Sequence, residues 1–212
     1  PRDFVTRGGD RLLELELDPD VLADWEEQGP DIPGEGRNGY RVIHTRRLTF
    51  ADRPGSLKAI LFYTPAGTSN PPHEHHNLVS VKRVLVGSYH VREYDRVRRV
   101  EPGAIAIRQV SERPDVTFAG PCVAMTDGAR AVHWFGAQHK PVVALNVVVE
   151  NALAPAATFH GAAETRPTGR YFVDPTGRPD REGVIVARAM DGDRALAFSR
   201  RALSEFPSQL IT

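Results

Sequence analysis

The centre of the chain, from residue 57 to residue 150, is a succession of short stretches in which apolar and polar residues alternate or apolar residues run together. Alternation with a period of two is typical of a half-buried strand, and a short apolar run is typical of a strand buried on both faces. Gly87 and the Glu101-Pro102-Gly103 turn punctuate the pattern. The predicted strands are residues 40–44, 47–50, 57–64, 78–86, 88–95, 96–100, 104–110, 114–118, 123–126, 131–135 and 142–150.

Many short strands with no helical pattern between them predict an all-β fold, either an antiparallel sandwich or a jelly-roll barrel that can hold a ligand between its sheets. Residues 1–46 are predicted as an arm with a short helix near residues 21–25, and residues 47–150 as the barrel. Residues 151–212 are predicted as an extension that packs on the barrel or on a second subunit. An amphipathic helix is expected across residues 193–206. Its apolar face would consist of Leu196, Phe198, Leu203 and Phe206.

Charge and cysteine content narrow the class of partner. The 27 basic and 27 acidic residues cancel, so we expect neither nucleic acid nor an anionic membrane surface as a partner. No apolar run approaches the ~18 residues of a membrane span, and the first residues do not resemble a signal peptide. The single cysteine, Cys122, excludes an internal disulfide and fits a reducing cytoplasm. A cytoplasmic protein with a small-molecule substrate is expected, and a homodimer is one of the oligomeric states that the sequence leaves open.

The candidate chemistry lies in Pro71-Pro72-His73-Glu74-His75-His76-Asn77. On a strand, residues i and i+2 share a face, so His73 and His75 can converge on one cation from roughly 6–7 Å apart along the chain. Imidazole suits iron, zinc, copper and nickel. The best third ligand is His133. His76 is the rival to His75, because a one-residue register change exchanges the faces. If the strand is regular, Glu74 points away from His73 and His75.

The spacing of these residues resembles the metal-binding pattern of the cupin superfamily. Gly67 stands six residues before His73, and Gly87 takes the place of the glycine that closes the hairpin. The glutamate ligand that usually follows the pair is absent, since Val79 and Ser80 occupy its candidate positions. The resemblance implies a single cupin barrel (a double-stranded β-helix) whose metal is held by His73, His75 and His133, with coordination positions left open.

Residues 73–95 more narrowly resemble the thiol dioxygenases of the 2-aminoethanethiol dioxygenase and plant cysteine oxidase group, and the resemblance extends over roughly residues 57–172. Arg83 aligns with a basic residue of that group, with Lys82 one place away, and Asn146 aligns with an aspartate. Residues 169–172 resemble its Gly-Arg-aromatic stretch. His76 and Arg92 depart from its proline and lysine, and its active-site tyrosine has no counterpart. The matching positions are His73, His75, Gly87, Ser88, His90, Tyr94, Asp95 and His133.

That resemblance implies a mononuclear non-haem iron(II) site that adds dioxygen to a small or peptidyl thiol, giving a sulfinate without an organic cofactor. Arg83, His90 and Tyr94 are the predicted catalytic residues. Because Lys82 and Arg83 alternate faces, one of them would face the cavity and bind a substrate carboxylate. The alternatives are a three-histidine oxygenase of a carbon substrate, a lyase, cyclase or isomerase that uses zinc, nickel or manganese as a Lewis acid, and a small-ligand sensor.

Overall fold

The computed structural model describes residues 35–37, 40–49, 56–76, 78–119, 123–125, 130–150 and 169–210. The expected helix near residues 21–25 and Cys122 lie outside these residues. The strands are β1 (Glu35–Arg37), β2 (Tyr40–Thr49), β3 (Ser56–Thr64), β4 (Ser69–His76), β5 (Leu78–Val86), β6 (Tyr89–Glu101), β7 (Ala104–Val116), β8 (Val123–Met125), β9 (Val132–Ala137), β10 (Val142–Glu150), β11 (Gly169–Asp174) and β12 (Val184–Ala189). One α-helix, α1 (Gly192–Ser199), and a 3-10 turn (Leu203–Glu205) follow them.

The strands form two layers. An open sheet has the order β1-β2-β3-β10-β5-β8, and a closed barrel has the order β11-β12-β7-β6-β9-β4, with antiparallel pairing throughout. From β3 to β11 the chain changes layer at every connection except the β6–β7 hairpin. This repeated crossing is the topology of a jelly roll. The predicted all-β class is confirmed.

Residues 89–94 of β6 and all of β9 are buried on both faces, and the two faces belong to different cores. One core joins the layers, with Val84 and Ala144 from the open sheet against Val91 and Phe135 from the barrel. The other core contains barrel residues alone, among them Val132. All six residues of β9 are buried. Alternate residues of β9 therefore lie in separate environments, which determines what each of its polar side chains can meet.

Gly87 fixes the passage from the open sheet to the barrel. Its φ is +73°, in the left-handed region that glycine adopts without strain. A Cβ at this position would lie 2.3 Å from the carbonyl oxygen of Pro141. Any side chain would therefore displace the backbone that leads into β10. The glycine predicted to close the hairpin is required here for both reasons.

Several predicted strands are longer or continuous in the structure. The two strands predicted at residues 40–44 and 47–50 are one strand, β2, over residues 40–49, and residue 50 lies outside the described residues. β7 includes most of the separate strand predicted at residues 114–118. Strands β11 and β12 lie within the segment predicted as an extension, where they pair with β4 and β7. The division into arm, barrel and extension stays a prediction. The pairing of β2 with β3, and of β11 with β4, ties both flanking segments to the central strands.

The helix predicted across residues 193–206 is shorter than expected. It begins after Asp191, whose carboxylate accepts a hydrogen bond from the backbone of Arg194, and it ends at Ser199. The predicted apolar face persists beyond the end of the helix, because Phe198, Leu203 and Phe206 pack together on Trp134 of β9. No helix in the described part of the chain has the length and apolar character that crossing a bilayer requires.

Candidate metal centre

Three histidines meet because of strand register. His73 and His75 are two residues apart on β4, and His133 on β9 lies directly opposite His73. Directly opposed residues on antiparallel strands project from the same face, as do residues i and i+2. The backbone N–H of His75 also donates to the carbonyl of Ala131, which keeps β4 alongside the start of β9. The pairing of β4 with β9 therefore gathers all three imidazoles.

The three rings are close enough to share one ion. The Nε2 atoms of His73 and His133 are 2.8 Å apart, and the candidate ligand atoms of the three residues lie within 4.8 Å of one another. Ring centroids are separated by 4.2 Å for His73 and His133, 4.8 Å for His73 and His75, and 4.9 Å for His75 and His133. His73 and His133 are 2% and 1% exposed. His75 is half-buried, so the cluster is a set of convergent nitrogen donors with two members in the interior and one partly open to solvent.

Hydrogen bonding sets the tautomer of His73. Its Nδ1 lies 2.6 Å from the carbonyl oxygen of Pro71. A carbonyl oxygen only accepts, so Nδ1 carries the proton and donates. In the neutral ring the lone pair is then on Nε2, the atom that faces His133. A ligating histidine commonly donates its other N–H to a carbonyl in this way, which fixes its ring and raises its basicity.

The cluster fits a divalent cation. Metal–nitrogen distances of about 2.0–2.1 Å keep two ligand nitrogens within about 4.2 Å of each other. The 2.8 Å between the Nε2 atoms of His73 and His133 meets that limit, and the bound of 4.8 Å on the whole set exceeds it by about 0.6 Å. Within the described residues the cluster contains no carboxylate. Three neutral ligands would leave the ion its full charge and open positions, which is typical of a catalytic site.

Aromatic rings border the cluster on two sides. The Phe135 ring centroid is 4.8 Å from that of His133, and the Phe172 centroid is 6.2 Å from that of His73. Glu74 faces the other way, as strand alternation predicts, and forms an ion pair with Arg96. Two sides of the cluster are therefore lined by aromatic rings.

Glu93 is a buried carboxylate beside the cluster that the sequence reasoning missed. It is 1% exposed and lies directly opposite His133 on the other neighbouring strand, β6. It accepts a hydrogen bond from the Ser111 hydroxyl and lies 3.0 Å from a guanidinium nitrogen of Arg113. Its place follows from the β6–β9 pairing, so only a prediction of that pairing could have found it.

Of the two adjacent basic residues on β5, Lys82 faces the core between the layers and Arg83 faces outward. Lys82 Nζ is 3.8 Å from the Phe135 ring centroid. The Arg83 guanidinium carbon is 4.3 Å from the Phe118 ring centroid, and its register partner is Leu145 of the outer face. The predicted catalytic residue Arg83 thus points away from the histidines, and its neighbour points towards them.

His90, also predicted as catalytic, projects from the opposite face of the barrel wall. Its register partner is Gly136, which alternates along β9 with Phe135 and His133. His90 Nε2 is 2.7 Å from Glu112 Oε1, and Arg92 Nε donates to the same oxygen at 2.9 Å. Burial lowers the pKa of His90, against the opposing effect of Glu112. The structure does not bring His90 to the three-histidine cluster.

Glu112 anchors this second polar group. Burial alone would raise the pKa of Glu112, but hydrogen bonds from Ser208, Arg92 and His90, with the charge of Arg92, outweigh it and lower the pKa to about 2. The Arg92 guanidinium also donates to the carbonyls of Phe206 and Pro207, at 2.7 and 3.2 Å. The network therefore fastens the C-terminal segment to the barrel.

Tyr94, the third predicted catalytic residue, is also separated from the cluster. It lies opposite Val132 and packs in the barrel core with Ile105 and Ile185. Burial raises the pKa of the Tyr94 phenol, so the side chain stays protonated at neutral pH. The side chains of His76 and Arg170 lie outside the described residues. The structure thus gathers the three predicted ligands and none of the three predicted catalytic residues.

The jelly roll and its three-histidine cluster together fit a metal-dependent cupin. No protein-family model and no curated protein matches the chain. Similar solved structures include KdgF from Halomonas sp., with 15% identity over 54% of this chain and 82% of that one and a TM-score of 0.36. Recombinant oxalate oxidase in complex with glycolate shares 18% identity over 65% of this chain and 56% of that one, with a TM-score of 0.37. Likenesses at this level support no statement about activity.

Proposed function

We propose that this chain is an oxygenase in which His73, His75 and His133 hold iron(II) and dioxygen is added to a small polar substrate, with a thiol as the sharpest candidate. The observation that carries the proposal is the convergence of three imidazoles, two buried and one half-buried, in a cluster that has no carboxylate within the described residues. Zinc, nickel or manganese would suit the same donors.

The residues around the cluster have definable tasks. Pro71 orients the His73 ring through the Nδ1 hydrogen bond, so that Nε2 is available to the ion. Phe135 and Phe172 line two sides of the cluster with apolar surface, and exclusion of water on those sides would strengthen electrostatic interactions inside the site. Bound iron(II) would supply oxygenation of a substrate sulfur to the sulfinate. Support for the thiol comes from the resemblance at His73, His75, Gly87 and Ser88, whereas support for the metal comes from geometry.

The test is oxygen consumption by protein loaded anaerobically with iron(II) and then exposed to dioxygen with a panel of small thiols. We expect uptake with at least one thiol and a sulfinate product that carries both atoms of labelled dioxygen. His133→Ala should abolish uptake. His139→Ala removes an exposed histidine outside the cluster and is the matched control.

The other outcomes separate the alternatives. Oxygen uptake that occurs with carbon substrates and never with thiols would show that the protein is an oxygenase of a carbon substrate and not of a thiol. Turnover supported equally by zinc and without oxygen uptake would overturn the oxygenase and favour a lyase, cyclase or isomerase. Ligand binding without turnover under any metal would favour a sensor.

A further inference from the structure

We infer that Glu93 is a positioning residue of the metal centre: its Oε1 accepts a hydrogen bond from Nδ1–H of His133 and so holds Nε2 of that ring towards the ion. The inference rests on the three-histidine metal site of the proposed function, and it is independent of the substrate and of the oxygenation. Glu93 lies outside the set of residues that could share the ion. Its role is therefore to orient a ligand and not to be one.

Strand register places His133 between His73 and Glu93. His133 on β9 lies opposite His73 on β4 and opposite Glu93 on β6, and Glu93 in turn lies opposite Ser111 on β7. Directly opposed residues on antiparallel strands project from the same face, with Cβ atoms about 4.5–5.5 Å apart. A glutamate side chain can reach a neighbouring imidazole over that spacing. The four side chains therefore form one row, in which a carboxylate is the next member after the His133 ring.

The two ring nitrogens of His133 point in divergent directions. Its Nε2 is 2.8 Å from Nε2 of His73, so this nitrogen faces β4 and the cluster. Nδ1 is directed away from His73, and Glu93 is the register partner of His133 on the other side. A neutral imidazole that binds an ion through Nε2 carries its proton on Nδ1. Because His133 is buried, that N–H requires an acceptor, and Glu93 provides one.

One oxygen of Glu93 is anchored and the other is available. Oε2 accepts a hydrogen bond from the Ser111 hydroxyl and lies 3.0 Å from Nη2 of Arg113. Oε1 has no hydrogen-bond partner within the described residues, and the half-exposed guanidinium of Arg130 is 3.9 Å from it. Glu93 is buried, so Oε1 is an acceptor that bulk water does not reach. The Nδ1–H of His133 supplies the donor that this oxygen requires.

A β-bulge in β7 provides the anchor of Glu93. Tyr94 pairs with Gln109 and Glu93 pairs with Ser111, so Val110 is an extra residue between the two pairs. The Val110 side chain is exposed. Without the bulge, Val110 would lie opposite Glu93, and the carboxylate would lose its hydroxyl donor. Bulges are common beside active sites, where they redirect a side chain.

His73 has the same arrangement with a different acceptor. Its Nδ1 donates to the carbonyl of Pro71, and its Nε2 faces the cluster. In a histidine ligand, the hydrogen bond of one ring nitrogen determines which nitrogen binds the metal, and carbonyls and carboxylates are the usual acceptors. A carboxylate makes the stronger hydrogen bond of the two. With Glu93 in this role, two of the three ligands have their rings oriented by the protein.

The experiment locates the proton on His133 without turnover. Protein labelled with nitrogen-15 histidine is loaded with zinc(II), and long-range proton–nitrogen spectra identify the protonated and the metal-bound nitrogen of each ring. The His133 signals are those missing from His133→Gln. We expect zinc on Nε2 and a slowly exchanging proton on Nδ1. A zinc-bound Nδ1, or an Nδ1 proton that exchanges as fast as that of an exposed histidine, would overturn the inference in the unsubstituted protein itself.

The variants assign that hydrogen bond to Glu93. Glu93→Gln keeps the shape of the side chain and removes its charge. The zinc(II) dissociation constant, measured by competition with a chelator, should rise about 10–100-fold, and the Nδ1 proton of His133 should exchange faster. Glu93→Asp keeps the charge and should keep part of the affinity. A folded Glu93→Gln that has lost stability but changed in neither measurement would overturn the inference.

Glu112→Gln is the matched control. It removes a carboxylate that contacts a histidine, His90, on the opposite face of the same wall. It should lower the stability of the protein and leave unchanged both the zinc(II) dissociation constant and the exchange of the His133 proton. Equal effects of Glu112→Gln and Glu93→Gln on the zinc(II) dissociation constant would show a general loss of packing and overturn the specific role of Glu93.

Failure of this inference and failure of the proposed function are distinguishable. Oxygen uptake with a thiol, in a protein whose zinc affinity is the same in Glu93→Gln, would keep the oxygenase and overturn the positioning role. Zinc affinity that depends on Glu93, in a protein that consumes no oxygen with any substrate, would keep the positioning role and remove the oxygenase.

Discussion

Within the part of the chain that the structure describes, buried histidines lie on opposite faces of the same barrel wall, and the two sets differ in the side chains that face them. His90 meets a carboxylate, Glu112, which also accepts a hydrogen bond from Arg92. His73 and His133 meet each other, with their Nε2 atoms 2.8 Å apart. In the first arrangement the imidazole, the carboxylate and the guanidinium form hydrogen bonds with one another, and the network holds the C-terminal segment in place. In the second arrangement imidazole nitrogens face one another, and such nitrogens can share a cation placed between them.

The comparison shows that burial of a histidine in a barrel strand does not identify a ligand. His90 and His133 are 5% and 1% exposed, and both lie on paired strands next to each other. Strand alternation separates them, since Gly136 rather than His133 is the register partner of His90. The chemistry of the facing side chain then decides the role: an acid makes a structural hydrogen bond, and further imidazoles make a metal site.

The largest expected effect on stability is at the network that holds the C-terminal segment. Arg92→Met should lower the free energy of unfolding by about 3–5 kcal/mol, because it removes the cation that pairs with half-buried Glu112 and leaves two backbone carbonyls without their donor. Chemical denaturation would measure it. Arg188→Met, which breaks an exposed ion pair with Glu101, should cost less than about 1 kcal/mol. Equal losses in the two variants would contradict a special role for the network.

A smaller effect should distinguish the histidine groups directly. Zinc(II) at about a hundred times its dissociation constant should stabilise the protein by about 2.7 kcal/mol, which raises Tm by roughly 2–4 °C for each kcal/mol. His90→Ala should respond to zinc(II) as the unsubstituted protein does, although it starts from a lower Tm. His133→Ala should not respond. A zinc response that is lost in His90→Ala and kept in His133→Ala would reverse the assignment.

The smallest effect is the dependence of stability on pH. Because burial lowers the pKa of His90 in the folded state, the unfolded chain takes up a proton first as the pH falls below about 6.5. The folded state should therefore lose stability between pH 7 and pH 5 more steeply than His90→Gln does. The contribution of Glu112, whose pKa is about 2, should persist until the pH falls below about 4.5. Unfolding curves at several pH values would measure the difference, and identical slopes for the two proteins would contradict it.

The sequence predicted best the strands that have an apolar run of their own. β5 and β10 have the bounds expected, residues 78–86 and 142–150, because long apolar stretches mark central strands. β11 and β12 were missed, because they lie among turn residues and pair with β4 and β7, which are distant in the chain. The helix was overextended because Leu203 and Phe206 continue the apolar periodicity beyond Ser199.

In the site, local spacing was informative and relative orientation was not. The i, i+2 relation placed His73 and His75 on one face, and His133 was found as the best remaining partner. Whether Lys82 or Arg83 faces inward depends on how β5 pairs with β10, which spacing does not reveal. His90 and Tyr94 were predicted as catalytic from the resemblance to thiol dioxygenases, but their faces depend on the register of β6 against β9.

The central claim is that three imidazoles bind one metal ion. The metal content of the protein tests that claim most directly. After reconstitution with iron(II) and removal of loosely bound ions, elemental analysis should give about one metal per chain. His73→Ala, His75→Ala and His133→Ala should each fall below about a tenth of that value, since each removes one of three ligands, while His90→Ala should keep it. Full occupancy in folded His133→Ala, or none in the unsubstituted protein, would contradict the account.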